Sequence, residues 1–192
     1  MPQILLKLTL FLSLFALGAC QDTPQDKVDF EQMSFKQLRQ GVKGDPLDDV
    51  RRFNLAHPSG RILKTVLLVS PREQEVGLSG VRPDEFGDNE AALFWYEKTS
   101  AKRFWMPDTY FNLDIIFLDE NLKIIAIESN MQAHPGMVEP PPIQYTRTIE
   151  ARHVLEIRAK SDLSKALKNG DQFQVLNPLS LSQIESKIRQ RQ

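Results

Sequence analysis

Phe104–Asp119 has the sequence FWMPDTYFNLDIIFLD, and this stretch decides the fold of the chain. An aromatic pair begins it, and Pro107 marks a turn in its first half. Leu113–Leu118 is an apolar run rich in branched and aromatic residues, as in a strand, with one acid inside it, Asp114. A second run, Leu122–Glu128, follows a short polar turn, so the two runs predict an antiparallel pair of strands.

Shorter strand-like runs lie on both sides of this pair. They are Arg51–Ala56, Arg61–Val69, Ala91–Tyr96, Lys102–Met106, His153–Arg158 and Gln172–Leu176. Short helices are predicted after serine caps and before glycines, over Phe35–Gln40, Arg72–Val76, Ser161–Lys168 and Ser180–Arg191. About eight short strands, two or three short helices and no long crossovers predict an α+β domain that is mostly antiparallel β.

Composition narrows the classes of partner. A formal net charge of −1 with 26% charged residues argues against a basic face for nucleic acid or anionic lipid. The one cysteine, Cys20, excludes an intramolecular disulfide. The histidines, His57, His134 and His153, are far apart in sequence and form no ligand-spaced pair. We therefore expect no metal and no cofactor, although ligands from distant residues remain an open alternative.

The first twenty residues, MPQILLKLTLFLSLFALGAC, predict export. Leu8–Ala19 is apolar and uncharged, and at 1.5 Å per residue it spans about 18 Å, too short for a hydrocarbon core of about 30 Å. A short apolar run followed by small residues is typical of a signal peptide. The end of this segment, Leu17–Cys20, resembles the lipobox of bacterial lipoproteins, and a plain signal peptide is the alternative.

The lipobox resemblance implies that Cys20 is acylated and anchors the chain in a membrane of the bacterial cell envelope, facing the periplasm. Two or more acyl chains anchor firmly, whereas one anchors marginally. Gln21 in place of Asp favours the outer over the inner membrane, by analogy with such lipoproteins. The predicted organisation is a signal peptide over 1–19, a partly disordered tether over 20–49, one domain over 50–178 and a short helix over 179–192.

Four polar or aromatic residues of the opening stretch form a candidate binding cluster: Trp105, Asp108, Thr109 and Asp114. Asp114 is either a structural acid, facing solvent or held by hydrogen bonds, or a carboxylate aimed into a pocket. Trp105 is either plain core or a stacking platform for a ligand. Asp108 and Thr109 are expected to organise the turn after Pro107 through side-chain bonds to the backbone.

Outside this cluster, two features matter. Glu156 alternates with apolar neighbours, which predicts an exposed side chain without a role. Ser129–Ile143 is a long, proline-rich loop and therefore a candidate functional edge.

Common catalytic signatures are missing from the sequence. The GLSG at 77–80 places its second glycine one residue too early for a G-x-S-x-G elbow. The sequence contains no H-E-x-x-H, P-loop or G-x-G-x-x-G motif. These observations favour a non-catalytic module that binds a small ligand, a glycan or a partner protein. The alternative is a small hydrolase that uses Asp108 and Asp114 as a carboxylate pair.

The residues FWM at 104–106, Thr109 and LDIIF at 113–117 resemble the signature of the bacterial and archaeal domain-of-unknown-function family 192, which runs roughly F-W-M-K-N-T-x-x-P-L-D-I-x-F. Supporting matches are Gly77-Leu78, Leu93-Phe94, Val154-Leu155-Glu156 and Gly170-Asp171. The resemblance implies a compact, barrel-like β-rich fold and implies no reaction. The chain departs from the pattern at Asp108, where the family has Asn, at Asn112, where it has Pro, at Ser79, where it has Met, and at Ala91-Ala92, where it has Gly-Met.

Overall fold

The computed structural model describes residue 29 and residues 32–57, 59–176 and 178–191. The predicted signal peptide, Cys20 and the beginning of the predicted tether lie outside the described residues. None of the described helices is both long and apolar enough to cross a membrane.

The described residues form nine strands and five α-helices. The strands are β1 (Arg52–Ala56), β2 (Ile62–Leu68), β3 (Glu90–Phe94), β4 (Ser100–Lys102), β5 (Leu113–Leu118), β6 (Ile124–Met131), β7 (Ile149–Ala151), β8 (His153–Arg158) and β9 (Gln174–Val175). The helices are α1 (Phe35–Gln40), α2 (Asp48–Arg51), α3 (Pro71–Val76), α4 (Asp162–Ala166) and α5 (Leu181–Arg191), with a 3-10 turn at Pro83–Glu85.

Seven strands form one sheet in the order β6-β5-β8-β3-β2-β1-β9, and β4 and β7 form a separate pair. The larger sheet is mostly antiparallel and curls into a half-barrel, which confirms the predicted α+β class and its barrel-like sheet. The two clearest predicted strands are adjacent: β5 has the predicted bounds, and β6 pairs antiparallel with it through Ile116 and Ile127. The other neighbour of β5 is β8, with Ile115 opposite Glu156.

One pair of neighbours is parallel. β2 and β3 run in the same direction, with Val66 opposite Ala92, and the chain between them contains α3. The sequence did not indicate this crossover, because α3 is short. Its N-cap was predictable: the Ser70 hydroxyl accepts from the Glu73 backbone N–H and Pro71 occupies the first position, which fixes where the crossover helix begins.

The central strands are buried on both faces. Every residue of β5 is buried, and so are the first five of β8. Residues 116 and 118 of β5 pack into one apolar cluster, cluster 1, with α5 and β1. Residues 113, 115 and 117 pack into a second, cluster 2, with α1. The prediction that Glu156 is exposed is therefore wrong, since strand alternation identifies a solvent-facing residue only when one face of the sheet is open.

The folded domain begins earlier than predicted. Met33, Phe35 and Leu38 lie in the interval assigned to the tether, yet they are buried in cluster 2. α1 has the predicted bounds, and Ser34 and Gln37 form a capping box at its beginning. The polar composition of the segment concealed these apolar side chains. We therefore place the beginning of the domain near Met33, while most of the tether predicted before it lies outside the described residues.

An ion triad is buried beneath this N-terminal segment. The Arg51 Nε atom lies 2.9 Å from Asp45 Oδ2, and its Nη1 atom lies 3.1 Å from Glu73 Oε2. Arg51 Nη1 also donates to the Leu67 carbonyl at 2.9 Å. Burial raises the pKa of Asp45, but the Arg51 guanidinium and the Leu47 backbone N–H outweigh it and hold this pKa below its usual value. The triad ties the segment before α2 to β2 and α3.

The aromatic pair lies outside the regular strands, contrary to the predicted strand over Lys102–Met106. β4 ends at Lys102, and Trp105 makes only an isolated bridge to Tyr145. The Phe104 backbone N–H donates to the Thr146 hydroxyl at 2.9 Å instead of to a carbonyl. Pro107 has no N–H to continue a ladder, so the pairing is irregular here.

Candidate functional site

A narrow cleft of about 40 Å³ opens where α3 ends. One wall is the last turn of α3 with the residues that follow it, and the opposite wall is the segment Phe104–Thr109. Phe94, Leu113 and Glu156, from three strands of the sheet, complete the lining. The fourteen lining residues are Gln74, Glu75, Val76, Gly77, Leu78, Ser79, Phe94, Phe104, Trp105, Met106, Pro107, Thr109, Leu113 and Glu156.

Gly77 allows the α3 wall to approach the sheet. Its backbone has φ +49° and ψ −125°, a conformation that only glycine adopts readily. A Cβ atom at this position would lie 3.0 Å from Phe94 Cζ and 3.9 Å from Glu156 Oε2. The turn therefore presses against the aromatic ring and the carboxyl group at the same point, which explains why the helix ends in Gly there.

Replacing Gly77 with alanine is expected to lower the free energy of unfolding by about 1–3 kcal/mol, because the backbone conformation is strained for any residue with a Cβ. The contact with the Phe94 ring adds to this loss. Urea unfolding of the variant measures the change.

Gly60→Ala is the matched control for this substitution. Gly60 also has a positive φ, +80°, but open space surrounds the position of its Cβ. It therefore carries the conformational cost without the contact. Equal losses at the two glycines would show that close packing at Gly77 has no energetic consequence.

Glu156 carries the chemistry of the cleft. Its side chain is buried, with the residue 5% exposed, and its Oε2 atom has no hydrogen-bond partner. Burial raises the pKa of Glu156 to about 8, because a carboxylate without a partner is poorly solvated in the protein interior. The group is therefore mostly protonated at neutral pH and acts as a hydrogen-bond donor that a ligand of the right polarity would engage.

Trp105 lies beside the cleft opening and is 41% exposed. Tyr145, which is 49% exposed, stacks on it with ring centroids 6.0 Å apart and planes 23° apart. Phe104 also lines the cleft, and its ring meets the Phe94 ring edge to face at 4.9 Å. The interpretation of Trp105 as a core residue is therefore wrong, and its role as a stacking platform for a ligand stays a prediction.

Asp108 and Thr109 organise the turn, as their position after proline predicted. The Thr109 hydroxyl donates to the Pro107 carbonyl at 3.2 Å, and Asp108 Oδ1 accepts from the Gly136 backbone N–H at 3.1 Å. Asp108 has φ +49°, a conformation that Asn and Asp tolerate best among residues with a Cβ. The replacement of Asn by Asp therefore preserves the backbone role of this position.

The predicted functional edge, Ser129–Ile143, is partly strand, since β6 extends to Met131. The rest packs on the opening stretch from outside the cleft and lines none of it. His134 holds this loop: its Nε2 lies 2.8 Å from the Pro141 carbonyl and its Nδ1 3.1 Å from the Gly136 carbonyl. These backbone carbonyls, that of Pro141 most, raise the pKa of His134.

Asp114 lies apart from the other residues of the predicted cluster. Its neighbours in β5, Leu113 and Ile115, face cluster 2. Because successive side chains of a strand point to opposite faces, the buried Asp114 side chain lies on the cluster 1 face of the sheet. Its carboxylate accepts from the Asn130 backbone N–H at 2.7 Å and from the Ser164 hydroxyl. Asp114 is therefore the hydrogen-bonded structural acid of the two interpretations, and it does not line the cleft.

The carboxylate pair is not assembled. Asp108 accepts from the Gly136 backbone N–H and hydrogen-bonds with Tyr110. This hydrogen bond raises the pKa of Tyr110, and the Tyr110 ring packs against cluster 2. Asp114 has different partners on the other face. Trp105 and Thr109 are the two members of the predicted cluster that line the cleft, and Asp108 lies in the adjoining turn.

The hydroxyl groups that line the cleft donate hydrogen bonds to the backbone. Ser79 and Thr109 both donate to the Pro107 carbonyl, at 2.9 Å and 3.2 Å. Neither contacts a base that would activate it as a nucleophile. This arrangement suits binding better than covalent catalysis.

A second polar contact set, outside the cleft, joins Ser59, His57 and Asp171. His57 Nδ1 lies 2.7 Å from the Ser59 hydroxyl and Nε2 lies 2.9 Å from Asp171 Oδ2. Asp171 also accepts from the Lys168 backbone N–H, and the His57 hydrogen bond, the largest cause, keeps the pKa of Asp171 below its usual value. These contacts fasten the β1–β2 turn to the segment before β9.

Comparison with known families shows the family to which the chain belongs. The model of the family DUF192, described as uncharacterized ACR, matches residues 56–175, which is more than half of the sequence. The chain belongs to the DUF192 family. The resemblance seen in the sequence is thereby confirmed. No curated protein matches the chain significantly.

Two solved structures are similar. One, from Sinorhizobium meliloti 1021, is provisionally described as a transcription regulator. It is 28% identical to this chain, with a TM-score of 0.51. The match covers 65% of this chain and 92% of that one. The other, a protein of unknown function from Novosphingobium aromaticivorans DSM 12444, is 26% identical, with a TM-score of 0.50 and coverage of 64% and 82%.

Nine of the residues that carry the DUF192 resemblance line the cleft, whereas others, such as Asp114 and Asp171, lie outside it. The nine come from four separate parts of the chain, and they are Gly77, Leu78, Phe94, Phe104, Trp105, Met106, Thr109, Leu113 and Glu156. Sequence reasoning gave Glu156 no role, although Val154-Leu155-Glu156 was one of the matching segments and was the available signal. Within the described residues, no three His, Cys, Asp or Glu side chains are placed to hold a metal ion.

Proposed function

We propose that this DUF192 protein is a lipid-anchored binding module of the bacterial cell envelope, and that the cleft is its binding site. The observation that carries the proposal is the buried Glu156 carboxyl, whose Oε2 atom faces the cleft without a partner. Leaving such a polar atom unpaired costs roughly 1–3 kcal/mol, which a bound ligand would recover. The exposed Trp105–Tyr145 pair supplies an adjoining surface for the rest of the ligand.

Binding rather than catalysis follows from the partners of the polar groups. The cleft holds one buried carboxyl, and its two hydroxyls donate to the backbone. Its second carboxyl, Glu75, is exposed and paired with Arg72, so no partner is held against Glu156 as general acid–base catalysis requires. A role in nucleic-acid binding, which the description of the S. meliloti protein raises, is not favoured by a net charge of −1.

The cleft is tested by ligand screening with two-dimensional ¹H–¹⁵N NMR of the full chain in detergent. The indole N–H of Trp105 is the reporter, and that of Trp95, buried in cluster 1 on the other face of the sheet, is the internal control. A ligand of the cleft is expected to shift the Trp105 signal and leave the Trp95 signal in place. Trp105→Ala removes the reporter, so its affinity is measured by calorimetry; the variant is expected to bind such a ligand at least tenfold more weakly while preserving the fold.

Lipid anchoring is tested separately with Cys20→Ala. Because the acyl chains hold the protein on the membrane, the variant is expected to leave the membrane fraction, while the neighbouring Thr23→Ala behaves as wild type. Mass spectrometry of the N-terminal peptide identifies the acyl groups. An unmodified Cys20 in the membrane-derived wild-type protein would contradict the anchor.

A further inference from the structure

The charged residue types that line the cleft are all acids. Two of the lining residues are acids, Glu75 from α3 and Glu156 from β8, and no lysine, arginine or histidine is among the fourteen. Glu75 pairs with Arg72 at 2.8 Å, but both side chains are more than half exposed, so solvent screens that pair. Arg103 lies against the ring of Tyr145, outside the lining. At neutral pH Glu156 is mostly protonated, so the cleft becomes negative when this carboxyl ionises, and no basic residue of the lining competes for the charge.

Three aromatic residues share the cleft with the buried carboxyl. Phe94, Phe104 and Trp105 all line the cleft, and the Phe94 ring and the Glu156 Oε2 atom lie within 4 Å of one point above Gly77. The face of an aromatic ring attracts a cation, and the attraction strengthens when the cation is desolvated. Aromatic rings combined with one carboxylate are the chemistry that recognises an ammonium group.

The carboxyl and the small volume of the cleft favour one kind of ammonium group. The volume of the cleft is about 40 Å³, and a cavity needs about 10–15 Å³ to hold one water molecule. A primary ammonium group is close to water in size and offers three N–H donors, whereas a trimethylammonium group carries three methyl groups in their place. The cleft therefore fits a primary ammonium on a slender aliphatic stem.

We propose that the cleft binds a primary ammonium group, with Glu156 as its counter-ion and the three aromatic rings around it. The stem leaves the cleft past Trp105, whose exposed ring contacts its methylene groups. The ammonium belongs either to a small alkylamine or to a lysine side chain, since both present the same end. This assignment rests on the proposed function, namely that the cleft is the binding site.

Binding of the cation displaces a proton. Since the pKa of Glu156 is about 8, the group is protonated at pH 7, and it must ionise to pair with the ammonium. The carboxyl releases its proton to solvent as the ion pair forms, and no other bond changes. Three other titratable groups lie near Glu156. Tyr96, just after β3, has a pKa that is raised mainly by burial and further by Glu156. The Lys102 ammonium on β4 lies 4.0 Å from the Tyr96 ring, and Glu75 of α3 lines the same cleft.

The test compares n-butylammonium with n-butanol, which has the same stem and no charge, on the full chain in amine-free buffer. At pH 7 butylammonium is expected to shift the Trp105 indole signal saturably, at least tenfold more tightly than butanol. Calorimetry in two buffers of different ionisation enthalpy is expected to show release of about one proton. Tetramethylammonium is expected to bind at least tenfold more weakly than butylammonium.

Two variants isolate the counter-ion. Glu156→Gln is isosteric and cannot ionise, so the preference for the amine and the release of the proton are both expected to disappear. Glu150→Gln changes an exposed residue of β7 that does not line the cleft, and it is expected to bind as wild type. N-acetyl-lysine amide is expected to release the same proton if the ammonium end is recognised. If it also binds tenfold more tightly than butylammonium, a protein lysine is the natural source of the ammonium.

The outcomes separate the two proposals. If butanol shifts the Trp105 signal as tightly as butylammonium, the cleft is a binding site but the ammonium assignment is overturned. Amine binding that persists in Glu156→Gln, or that releases no proton in wild type, overturns the role of Glu156 as counter-ion. If neither these compounds nor a wider ligand screen shifts the Trp105 signal, the cleft itself is not the site and both proposals fail.

Discussion

Replacing Arg51 with methionine is expected to lower the free energy of unfolding by about 3–5 kcal/mol, the cost of leaving buried charges without their partner. The Arg51 side chain is fully buried between Asp45 and Glu73, whose side chains are also buried. Without the guanidinium, two buried carboxylates lose their counter-ion and the Leu67 carbonyl loses a donor. Urea unfolding at pH 7 measures the loss.

Two further variants show whether the unpaired charges cause this effect. The triple variant Asp45→Asn, Arg51→Met, Glu73→Gln removes all three charges together and is expected to recover most of the lost stability, because no buried charge remains unpaired. Arg72→Met breaks an exposed pair with Glu75 and is expected to cost about 1 kcal/mol or less. A triple variant as unstable as Arg51→Met would locate the effect in packing instead of charge.

Glu156→Gln is expected to make the stability of the protein less dependent on pH. In the wild type the pKa of Glu156 rises from its ordinary value of 4.5 when unfolded to about 8 when folded. Between these values the unfolded chain releases the proton and the folded protein keeps it, so stability falls as pH rises, by up to about 1.4 kcal/mol per pH unit. Above pH 8 both states are ionised and this contribution is flat.

The glutamine variant removes this loss, which amounts to a few kcal/mol across the interval. Its amide also leaves a polar group without a partner, at a cost of roughly 1–3 kcal/mol that does not change with pH. The informative quantity is therefore the stability difference between variant and wild type, measured at pH 5, 7 and 9. We expect this difference to grow in favour of the variant as pH rises. A constant difference, equal to that of Glu150→Gln, would show that Glu156 does not titrate with a raised pKa.

Local signals predicted the elements well. β5 and β8 have the predicted bounds because apolar and branched residues fill them from end to end. α1 and α3 begin where serine caps indicate, since the hydroxyl satisfies a backbone donor that the helix itself leaves free. These patterns act over a few residues, and a single sequence contains them in full.

The burial of Glu156 could not be predicted from the local sequence, because it depends on residues that are distant along the chain. Whether the second face of β8 meets solvent depends on α1 and on the segment after β4, which are distant in sequence. The same limit applies to Asp114, whose partners Asn130 and Ser164 come from two other elements. Trp105 and Thr109 were found because they lie in the opening stretch, with its aromatic pair and proline turn, whereas Glu156 was judged by strand alternation alone.

The early beginning of the domain limits how far it can stand from a membrane. If Cys20 carries the lipid, twelve residues, 21–32, separate it from Met33, which is already buried in the domain. Fully extended, twelve residues reach about 42 Å, and a flexible chain of that length averages about 20 Å. A tether ending at residue 49 would reach about 100 Å. An anchor at Cys20 would therefore confine the cleft to a layer next to the bilayer, and a ligand would be encountered there, close to the lipid head groups.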